Sequence, residues 1–307
     1  MSVYILRPLG GGMPARAHEV IDRESLRQRA SDPLSAEPRP FLRWAGSKRS
    51  LASELVPLLP AKFGTYWEPF LGSAALFFLL RPKRARLSDK CAELIDVYQA
   101  VSENVSAVSA YLRPLRPDPD LYYSIRENRS SGRFKRAAEF LYLNKTCWNG
   151  LYRVNSDGRF NVPYGKPKTD FLMDFGNLRA CSEALANARV ELMACDFEVA
   201  LTDVRGGDLV YLDPPYVTRH DNNGFVDYNE TLFSWKDQER LAKRARALAK
   251  AGAYVIVSNA NHHEVAALYK GFKQKTLTRA STLASDSSCR VKVKEAVFYS
   301  PNCMKDR

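Results

Sequence analysis

The sequence predicts an α/β protein built on a doubly wound, mostly parallel sheet. Two observations support this prediction. Short β-prone apolar segments alternate with helical patterns along most of the 307 residues, and such alternation is typical of sheets with helices on both faces. Hydrophobic residues make up 45% and charged residues 26% of the chain, so a substantial buried core can form.

Residues 1–38 fall outside this alternation. Gly10 to Gly12 and the stretch from Ser31 to Pro40 are rich in glycine, serine and proline, which favours loops. A short polar helix is predicted between them, around Ala17 to Ala30. We therefore expect an N-terminal arm that is flexible or loosely docked and carries no chemistry.

Seven segments have the length and composition of β-strands. Helical patterns, such as Cys91 to Leu112 and Trp235 to Ala251, lie between most of them, and the last two segments are expected to pair as a hairpin. In chain order the strands are Tyr66 to Phe70, Ala85 to Ser88, Val190 to Ala194, Leu209 to Leu212, Ala253 to Ser258, Phe272 to Thr278 and Val291 to Tyr299.

The alternation breaks between the second and third predicted strands. Residues 113–187 are polar, basic and aromatic and contain no clear β-strand pattern. They are predicted to form an inserted, mainly helical domain. Residues 39–112 and 188–307 then make up the sheet domain.

The charge balance favours a polyanionic partner. The formal net charge is +12, and clustered lysines and arginines gain free energy by releasing phosphate counterions. The alternative is a generally basic protein whose clusters are solvated helix faces. The clusters are Arg126, Arg129, Arg133, Lys135 and Arg136 in the insert, and Lys236, Arg240, Lys243, Arg244, Arg246 and Lys250 on one predicted helix.

Several classes of protein are disfavoured by composition. No apolar run is long enough for a membrane-spanning helix, and the N-terminus lacks the pattern of a signal peptide. The six cysteines are scattered without a Cys-x-x-Cys pair, and there are four histidines. We therefore expect reduced thiols in a cytoplasm, no metal site and no membrane partner.

The most informative motif is Asp213-Pro214-Pro215-Tyr216, which follows the buried-strand pattern of Leu209 to Leu212. Proline cannot continue a sheet ladder, so the chain must leave the sheet at Pro214. A carboxylate, a rigid carbonyl and an aromatic ring then meet at the sheet edge where open α/β folds bind ligands. The alternative is an ordinary strand exit with a solvated aspartate.

A second pattern indicates a nucleoside cofactor. Gly72 follows the first strand and precedes a helix, and Asp89 ends the second strand 17 positions later, where an acid can bind ribose hydroxyls. A full Gly-x-Gly-x-x-Gly is missing, which favours a cofactor without a pyrophosphate. Trp44 could face a sulfonium and Lys48 a carboxylate, although a buried tryptophan and a surface lysine would give the same pattern.

Together these motifs resemble the Dam family of DNA adenine methyltransferases. The matching segments stand in family order: Trp44-Ala45-Gly46-Ser47-Lys48, Glu68-Pro69-Phe70-Leu71-Gly72, Asp89, the insert string from Tyr142 to Asn155 with Phe160 to Gly165, and Asp213-Pro214-Pro215-Tyr216. The match covers residue 40 to the C-terminus. Ser47 and Ala74 replace usual glycines, and Trp148 stands where tyrosine or phenylalanine is expected.

The resemblance implies a Rossmann-like S-adenosylmethionine-dependent methyltransferase sheet of seven strands, mostly parallel with the last antiparallel, and a DNA-recognition insert. It implies methylation of adenine in double-stranded DNA, with GATC as the expected site and base flipping as the route. It places the protein in a bacterial or phage cytoplasm, at the nucleoid. The implied cofactor-binding residues are Trp44, Lys48, Glu68, Phe70, Gly72, Asp89, Asp196, Phe197 and Asp213. The implied catalytic residues are Asp213, Pro214 and Tyr216, and the implied DNA-binding residues are Asn144, Lys145, Trp148, Asn149, Leu151, Arg153 and Pro163.

Alternatives remain for the function of the chain and for the roles of individual residues and loops. The chain could be a methyltransferase-like DNA-binding protein with little catalysis, or could act on RNA or on a protein glutamine. Arg153 could contact guanine or a phosphate. The loop from Val217 to Phe233 is expected to order over the site when substrate binds, and Ser285 to Arg290 is either a phosphate-binding loop or a simple hairpin turn.

Overall fold

The computed structural model describes residues 18–31, 38–170, 172–187, 189–217, 233–280 and 292–304. Its strands are β1 (Glu19–Val20), β2 (Lys62–Phe63), β3 (Tyr66–Glu68), β4 (Arg84–Asp89), β5 (Arg189–Ala194), β6 (Leu209–Leu212), β7 (Tyr254–Ala260), β8 (Lys273–Ala280) and β9 (Lys292–Tyr299). Its α-helices are α1 (Arg23–Ser31), α2 (Ala52–Leu55), α3 (Ala75–Leu80), α4 (Ala92–Leu112), α5 (Pro119–Glu127), α6 (Arg133–Thr146), α7 (Phe175–Asn187), α8 (Phe197–Ala200), α9 (Trp235–Lys250) and α10 (His263–Leu268).

The predicted fold class is confirmed. Seven strands form one sheet in the order β5-β4-β3-β6-β7-β9-β8. The five strands from β5 to β7 are parallel to their neighbours, and the last strand, β9, runs antiparallel between β7 and β8. The predicted strand ends are correct to within one or two residues; β3, for example, ends at Glu68 and not at Phe70.

The sheet is covered on both faces, as its central strand shows. All four residues of β6 are buried. Leu209 and Tyr211 belong to the larger hydrophobic cluster, whereas Val210 and Leu212 belong to a second cluster. Because alternate residues of a strand point to opposite faces, the two clusters are the two layers of a doubly wound fold.

Helix α9 illustrates how the sequence specifies the outer layers. Ser234 and Asp237 form a reciprocal capping box at its start, which satisfies free backbone N–H groups. The buried residues of the helix recur at helical spacing and face the sheet; they are Gln238, Leu241, Ala242, Ala245 and Leu248.

The insert is mainly helical, as predicted, and it is packed closely on the sheet domain. Helix α6 lies along α4, and α7 contacts both α4 and β5. Between α6 and α7, residues 147–170 form a short 3-10 turn and loops joined by two isolated bridges, Cys147 to Tyr164 and Val154 to Phe160. This loop region carries most of the residues that resemble a DNA-reading element.

Part of the N-terminal segment, which the sequence predicted to be flexible or loosely docked, packs against the sheet domain. Strand β1 pairs with β2, Leu26 of α1 is buried, and the Arg23 guanidinium donates to the Leu59 carbonyl at 2.6 Å. Helix α1 also starts later than the polar helix expected around Ala17. The rest of the arm lies outside the described residues.

Two predicted loops also lie outside the described residues, namely 218–232 and 281–291. No helix in the described part of the chain is both long and apolar enough to cross a membrane.

Candidate active site

A cavity of about 870 Å³ opens at the carboxyl edge of the parallel strands. Its walls are the segments that follow β3, β4, β5 and β6, together with residues 44–48 and part of the insert. The structure brings most of the predicted site residues together here. Those lining the cavity are Trp44, Lys48, Glu68, Phe70, Gly72, Asp89, Leu151, Arg153, Asp196, Phe197, Asp213, Pro214 and Tyr216.

Gly72 lies at the centre of the turn between β3 and α3. Its φ is 46°, and a Cβ added there would lie 2.8 Å from Cδ1 of Trp44. Its backbone N–H donates to the Asp89 carboxylate at 3.1 Å, and the Cys91 N–H donates to the other oxygen at 3.0 Å. Only glycine combines this conformation with this contact. The turn therefore presents a backbone without a side chain next to the Asp89 carboxylate, and we call it the Gly72 cradle.

Two of the three departures from the family pattern, Ser47 and Ala74, lie at the same turn. Ala74 has φ 55°, so an alanine occupies a left-handed position where glycine is usual. The Ser47 hydroxyl lies 2.8 Å from the Ser73 hydroxyl. The serine thus ties the Trp44 to Lys48 segment to the Gly72 turn.

Aromatic rings form a second wall. Phe70 stacks on Phe197 with centroids 5.6 Å apart, and Phe233 packs edge-on against Phe70 at 5.6 Å. The Arg240 guanidinium covers the Phe197 ring at 4.9 Å and contacts the Asp196 carboxylate at 3.1 Å. A flat heterocycle would find both an apolar face and polar groups at this wall.

Glu68 is a buried acid on the cavity wall. It is 3% exposed and accepts a hydrogen bond from the Tyr66 hydroxyl at 2.9 Å. Burial raises the pKa of Glu68 to about 8, although the Tyr66 hydrogen bond opposes the rise. The side chain is therefore mainly protonated at neutral pH.

The Asp213 carboxylate lies at the end of β6 and faces a buried cation. The Lys48 ammonium is 2.8 Å from Asp213 Oδ1 and also donates to the Gly46 carbonyl at 2.7 Å. It is 3.7 Å from Oε2 of Glu295 on β9. The sequence suggested that Lys48 pairs with a cofactor carboxylate, whereas in the structure its charge is directed at Asp213.

Tyr216 and the two prolines are held rigidly. The Tyr216 hydroxyl donates to Glu295 at 2.9 Å, and burial next to Asp213 and Glu295 raises the pKa of the phenol. The Pro215 carbonyl accepts from the buried Gln238 amide at 3.1 Å. The hydrogen bonds of the neutral phenol and of the Pro215 carbonyl therefore fix the position of the Tyr216 ring at the cavity wall.

The insert presents an exposed turn and hairpin. The Trp148 side chain is 46% exposed, Asn149 beside it has φ 53°, and the Trp148 N–H donates to the carbonyl of the exposed Pro163 at 2.9 Å. Arg153 is exposed, and its Nε donates to the Asn161 amide oxygen at 2.8 Å. These side chains are accessible to a large ligand.

Two predicted DNA-binding residues are placed differently. Asn144 is 3% exposed; its amide oxygen accepts from the Arg43 N–H at 2.8 Å, and its amide nitrogen donates to the Arg43 carbonyl at 2.7 Å. It therefore fastens the insert to residues 41–48. Lys145 is partly buried, and its pKa is lowered to about 8 by desolvation and by the nearby Arg43 charge.

Three residues of the site were missed by sequence reasoning. Tyr152 stacks on Trp44 at 5.4 Å and donates to Glu93 at 3.2 Å, so it joins the insert to the cavity wall. Arg240 covers the aromatic wall. Glu295 contacts both Lys48 and Tyr216; the available signal was an acid directly before the apolar run Ala296 to Phe298 of the last strand.

The basic clusters are largely paired within the chain. In the insert, Arg129 contacts Glu93 at 2.9 Å and Glu139 at 3.3 Å. On α9, Arg240 contacts three acids, and Arg244 donates to the Leu201 carbonyl at 2.5 Å. Much of the clustered charge thus stabilises packing between elements. Among the described residues, no group of His, Cys, Asp and Glu is arranged to hold a metal ion.

The seven-stranded sheet and the cavity at its carboxyl edge are those of a Rossmann-like methyltransferase fold, a class that uses S-adenosylmethionine. Comparison with known proteins identifies the type. The chain belongs to the D12 class of N6 adenine-specific DNA methyltransferases, whose family model matches residues 44–283.

Three relatives show how much of the chain this likeness covers. A type II methyltransferase, M1.LlaDCHI, from Lactococcus lactis subsp. cremoris is 35% identical over 84% of this chain and 94% of its own length. The type II methyltransferase M.MjaIII from Methanocaldococcus jannaschii is 37% identical over 78% of this chain and 90% of its own length. The DNA adenine methylase of Escherichia coli (strain K12) is 32% identical over 86% of this chain and 96% of its own length. The predicted family, enzyme class and cofactor are thereby confirmed: the chain is an adenine-specific DNA methyltransferase that uses S-adenosylmethionine.

Proposed function

We propose that the chain methylates the exocyclic amino nitrogen of an adenine that has left the stack of double-stranded DNA, at GATC or a close relative of it. One observation carries this proposal. The Asp213 to Tyr216 turn, the Gly72 and Asp89 pair, and Arg153 of the insert all line the same cavity. A base delivered by the insert would therefore meet the carboxylate beside the cofactor.

The cavity fits the cofactor. Its volume of about 870 Å³ is within the usual range for small-molecule sites of roughly 300–1,000 Å³. Phe70 and Phe197 would hold the adenine ring of the cofactor, with Asp196 beside it, and Asp89 would accept ribose hydroxyls. Trp44, Glu68 and Gly72 complete the wall. When bound, this group supplies a methyl on a sulfonium, which a nucleophile can attack.

Asp213 and Pro214 would activate the target nitrogen. The adenine amino group is a poor nucleophile because its lone pair is delocalised into the ring. Hydrogen bonds from its N–H groups to the Asp213 carboxylate and the Pro214 carbonyl localise that lone pair and stabilise the positive charge that develops on nitrogen. Asp213 is then placed to take the proton that the nitrogen must lose.

The remaining residues serve orientation. Tyr216 would stack on the flipped base, and stacking of a base on an aromatic ring contributes about 1–3 kcal/mol. Cys91 and Cys195 also line the cavity, but burial raises the pKa of Cys91 to about 11. A neutral thiol is a weak nucleophile, which supports direct transfer without a covalent enzyme intermediate.

We assign DNA recognition to the insert, residues 113–187. Extruding a base costs on the order of a few kcal/mol, and the exposed Trp148 with Asn149 would offset part of this by entering the gap. Arg153 is placed to contact guanine in the major groove, where a bidentate pair contributes roughly 1–3 kcal/mol of discrimination. The choice of GATC rests on the resemblance of Leu151, Arg153 and Pro163 to the family pattern. A DNA substrate would place the protein at the nucleoid.

The proposal is tested by methyl transfer from labelled S-adenosylmethionine, followed by mapping of the modified bases. The wild-type chain should label adenine in duplex DNA that contains GATC. Asp213→Ala should lower the rate by at least about 100-fold, the scale for losing one preorganised partner of the transition state, while DNA binding changes little. Asp203→Ala is the control, because that exposed acid pairs with Arg86 in a surface contact at 2.8 Å and does not line the cavity.

Three outcomes would replace the proposal. DNA binding without transfer to any DNA would identify a binding protein. Transfer confined to RNA or to a protein glutamine would change the substrate class. Labelled adenine in another sequence context would retain the reaction and refute GATC.

A further inference from the structure

The Lys48 ammonium has two carboxylates within reach, and only one of them belongs to the proposed reaction. Its Nζ is 2.8 Å from Asp213 and 3.7 Å from Glu295. The side chains of Lys48 and Glu295 are 3% and 1% exposed, and that of Asp213 is 17% exposed. Charges buried to this extent are retained only when they are paired.

The contact with Asp213 conflicts with the role assigned to that carboxylate. An ammonium at 2.8 Å withdraws electron density from the oxygen that must polarise the adenine amino group. It also repels the positive charge that develops on the target nitrogen during transfer. The reaction is therefore favoured when Lys48 moves away from Asp213 as the base arrives.

Glu295 is positioned to receive the displaced charge. It is fixed in β9, which is paired with β7 on one side and with β8 on the other. Its carboxylate already accepts the Tyr216 hydroxyl at 2.9 Å, and the Lys48 Nζ lies 5.0 Å from the Tyr216 ring centroid. A movement of about 1 Å, from 3.7 to 2.8 Å, would bring the ammonium into direct contact with Glu295.

We propose that Glu295 is a positioning residue that serves as the second counter-ion of Lys48. The ammonium rests on Asp213 while the base pocket is empty and shifts to Glu295 when the target adenine is seated. This inference rests on the proposed function, because it requires an adenine at Asp213. It gives Glu295 a role in the methyl-transfer step that does not require contact with cofactor or DNA.

The first test is Glu295→Gln, which removes the charge but keeps an oxygen that can accept the Tyr216 hydroxyl. Single-turnover methyl transfer should slow by roughly 10- to 100-fold, the scale for losing one charged partner. The Kd values for S-adenosylmethionine and for DNA should stay within about threefold, because Glu295 is 1% exposed and does not line the cavity. A merely structural role would instead weaken binding together with the rate.

Glu54→Gln is the matched control. Glu54 also pairs with a lysine, Lys275, at 2.7 Å, but its side chain is 54% exposed and lies outside the cavity. This variant removes the same unit charge and should transfer methyl groups at the wild-type rate. Wild-type activity in the Glu295→Gln variant, or a rate loss explained entirely by weaker binding, would overturn the inference.

The second test uses the unaltered chain and so does not depend on the folding of a variant. A structure of the complex with S-adenosylhomocysteine and target DNA should place the Lys48 Nζ closer to Glu295 than to Asp213. An ammonium still on Asp213 beside a seated adenine would overturn the role of Glu295 and leave the proposed function intact. DNA bound with every adenine still stacked, in a chain inactive towards DNA, would refute the proposed function itself.

Discussion

Replacing Gly72 with alanine tests the cofactor cradle most directly, because two separable costs can be worked out for it. Gly72 has φ 46°, and the added Cβ would lie 2.8 Å from Trp44 Cδ1. A left-handed residue other than glycine costs roughly 1–2 kcal/mol, and overpacking of a tight contact costs roughly 1–3 kcal/mol. Gly72→Ala should therefore lower the free energy of unfolding by roughly 2–5 kcal/mol.

The clash also has a functional consequence, because the Trp44 ring must move to relieve it. Trp44 lines the cavity and stacks on Tyr152, so its displacement disturbs the cofactor wall. We expect the Kd for S-adenosylmethionine to rise by about 10- to 100-fold, which corresponds to roughly 1.4–2.8 kcal/mol. Isothermal titration calorimetry gives the affinity, and urea denaturation gives the stability.

Gly271→Ala is the matched control. Gly271 has φ 91°, but apart from its own chain neighbours no described residue has a heavy atom within 4 Å of the added Cβ, so it carries the conformational cost without the clash. Its unfolding free energy should fall by about 1–2 kcal/mol, and its cofactor affinity should be unchanged. Equal cofactor affinity in Gly72→Ala and the wild-type chain would refute the assignment of the cradle.

Three further predictions concern neighbouring groups. Arg153→Ala should relax the preference for the guanine position while DNA affinity falls little; an unchanged site preference in the methylation map would make Arg153 a phosphate contact. Tyr152→Ala removes the ring that stacks on Trp44. The factor by which DNA lowers the Kd for S-adenosylmethionine should therefore shrink by roughly 3- to 10-fold, the scale of an aromatic pair. Cofactor titrations with and without DNA measure this factor, and an unchanged factor would refute the coupling. The pKa of Glu68 is raised from 4.5 to about 8, so the folded chain holds a proton that the unfolded chain releases as pH rises between these values. Stability from this group is present below pH 4.5 and is lost as pH rises to about 8. Glu68→Gln should remove this loss, giving a gain over wild type that grows across the window to on the order of a few kcal/mol at pH 8; parallel stability–pH profiles of the two proteins would refute the burial of a protonated acid.

The sheet could be predicted from the sequence, and so could those parts of the site whose residues lie close together along the chain, because each depends on a short-range pattern. The strand Leu209 to Leu212 is an uninterrupted apolar run, and the prolines after it fix where it ends. Gly72 and Asp89 are separated along the chain by one helix, so their meeting at the sheet edge follows from β-α-β geometry. Their direct hydrogen bond of 3.1 Å is the result of that local connectivity.

The contacts that the sequence did not predict join residues far apart in the chain. Glu295 contacts Lys48 only because β9 lies between β7 and β8. A hairpin pattern in the sequence does not specify this strand order. Asn144 resembles a DNA-reading residue, but its side-chain amide forms two hydrogen bonds with the backbone of Arg43, 101 positions away. The basic clusters looked available for phosphate because the acids that neutralise them, such as Glu93, lie on other elements.

The segment from Phe41 to Lys48 joins the insert, to which we assign DNA recognition, to the proposed catalytic turn. Its start is clamped to the insert by Asn144, and its middle places Trp44 between Gly72 and Tyr152. Its end carries Lys48 to Asp213. If DNA binds the insert as proposed, a shift of the insert should reach the proposed cofactor wall and the ammonium together, since the three contacts lie within eight consecutive residues. Substitutions at Asn144, which is 3% exposed and does not line the cavity, should consequently alter cofactor affinity as well as DNA affinity, and an effect on DNA affinity alone would separate the two functions.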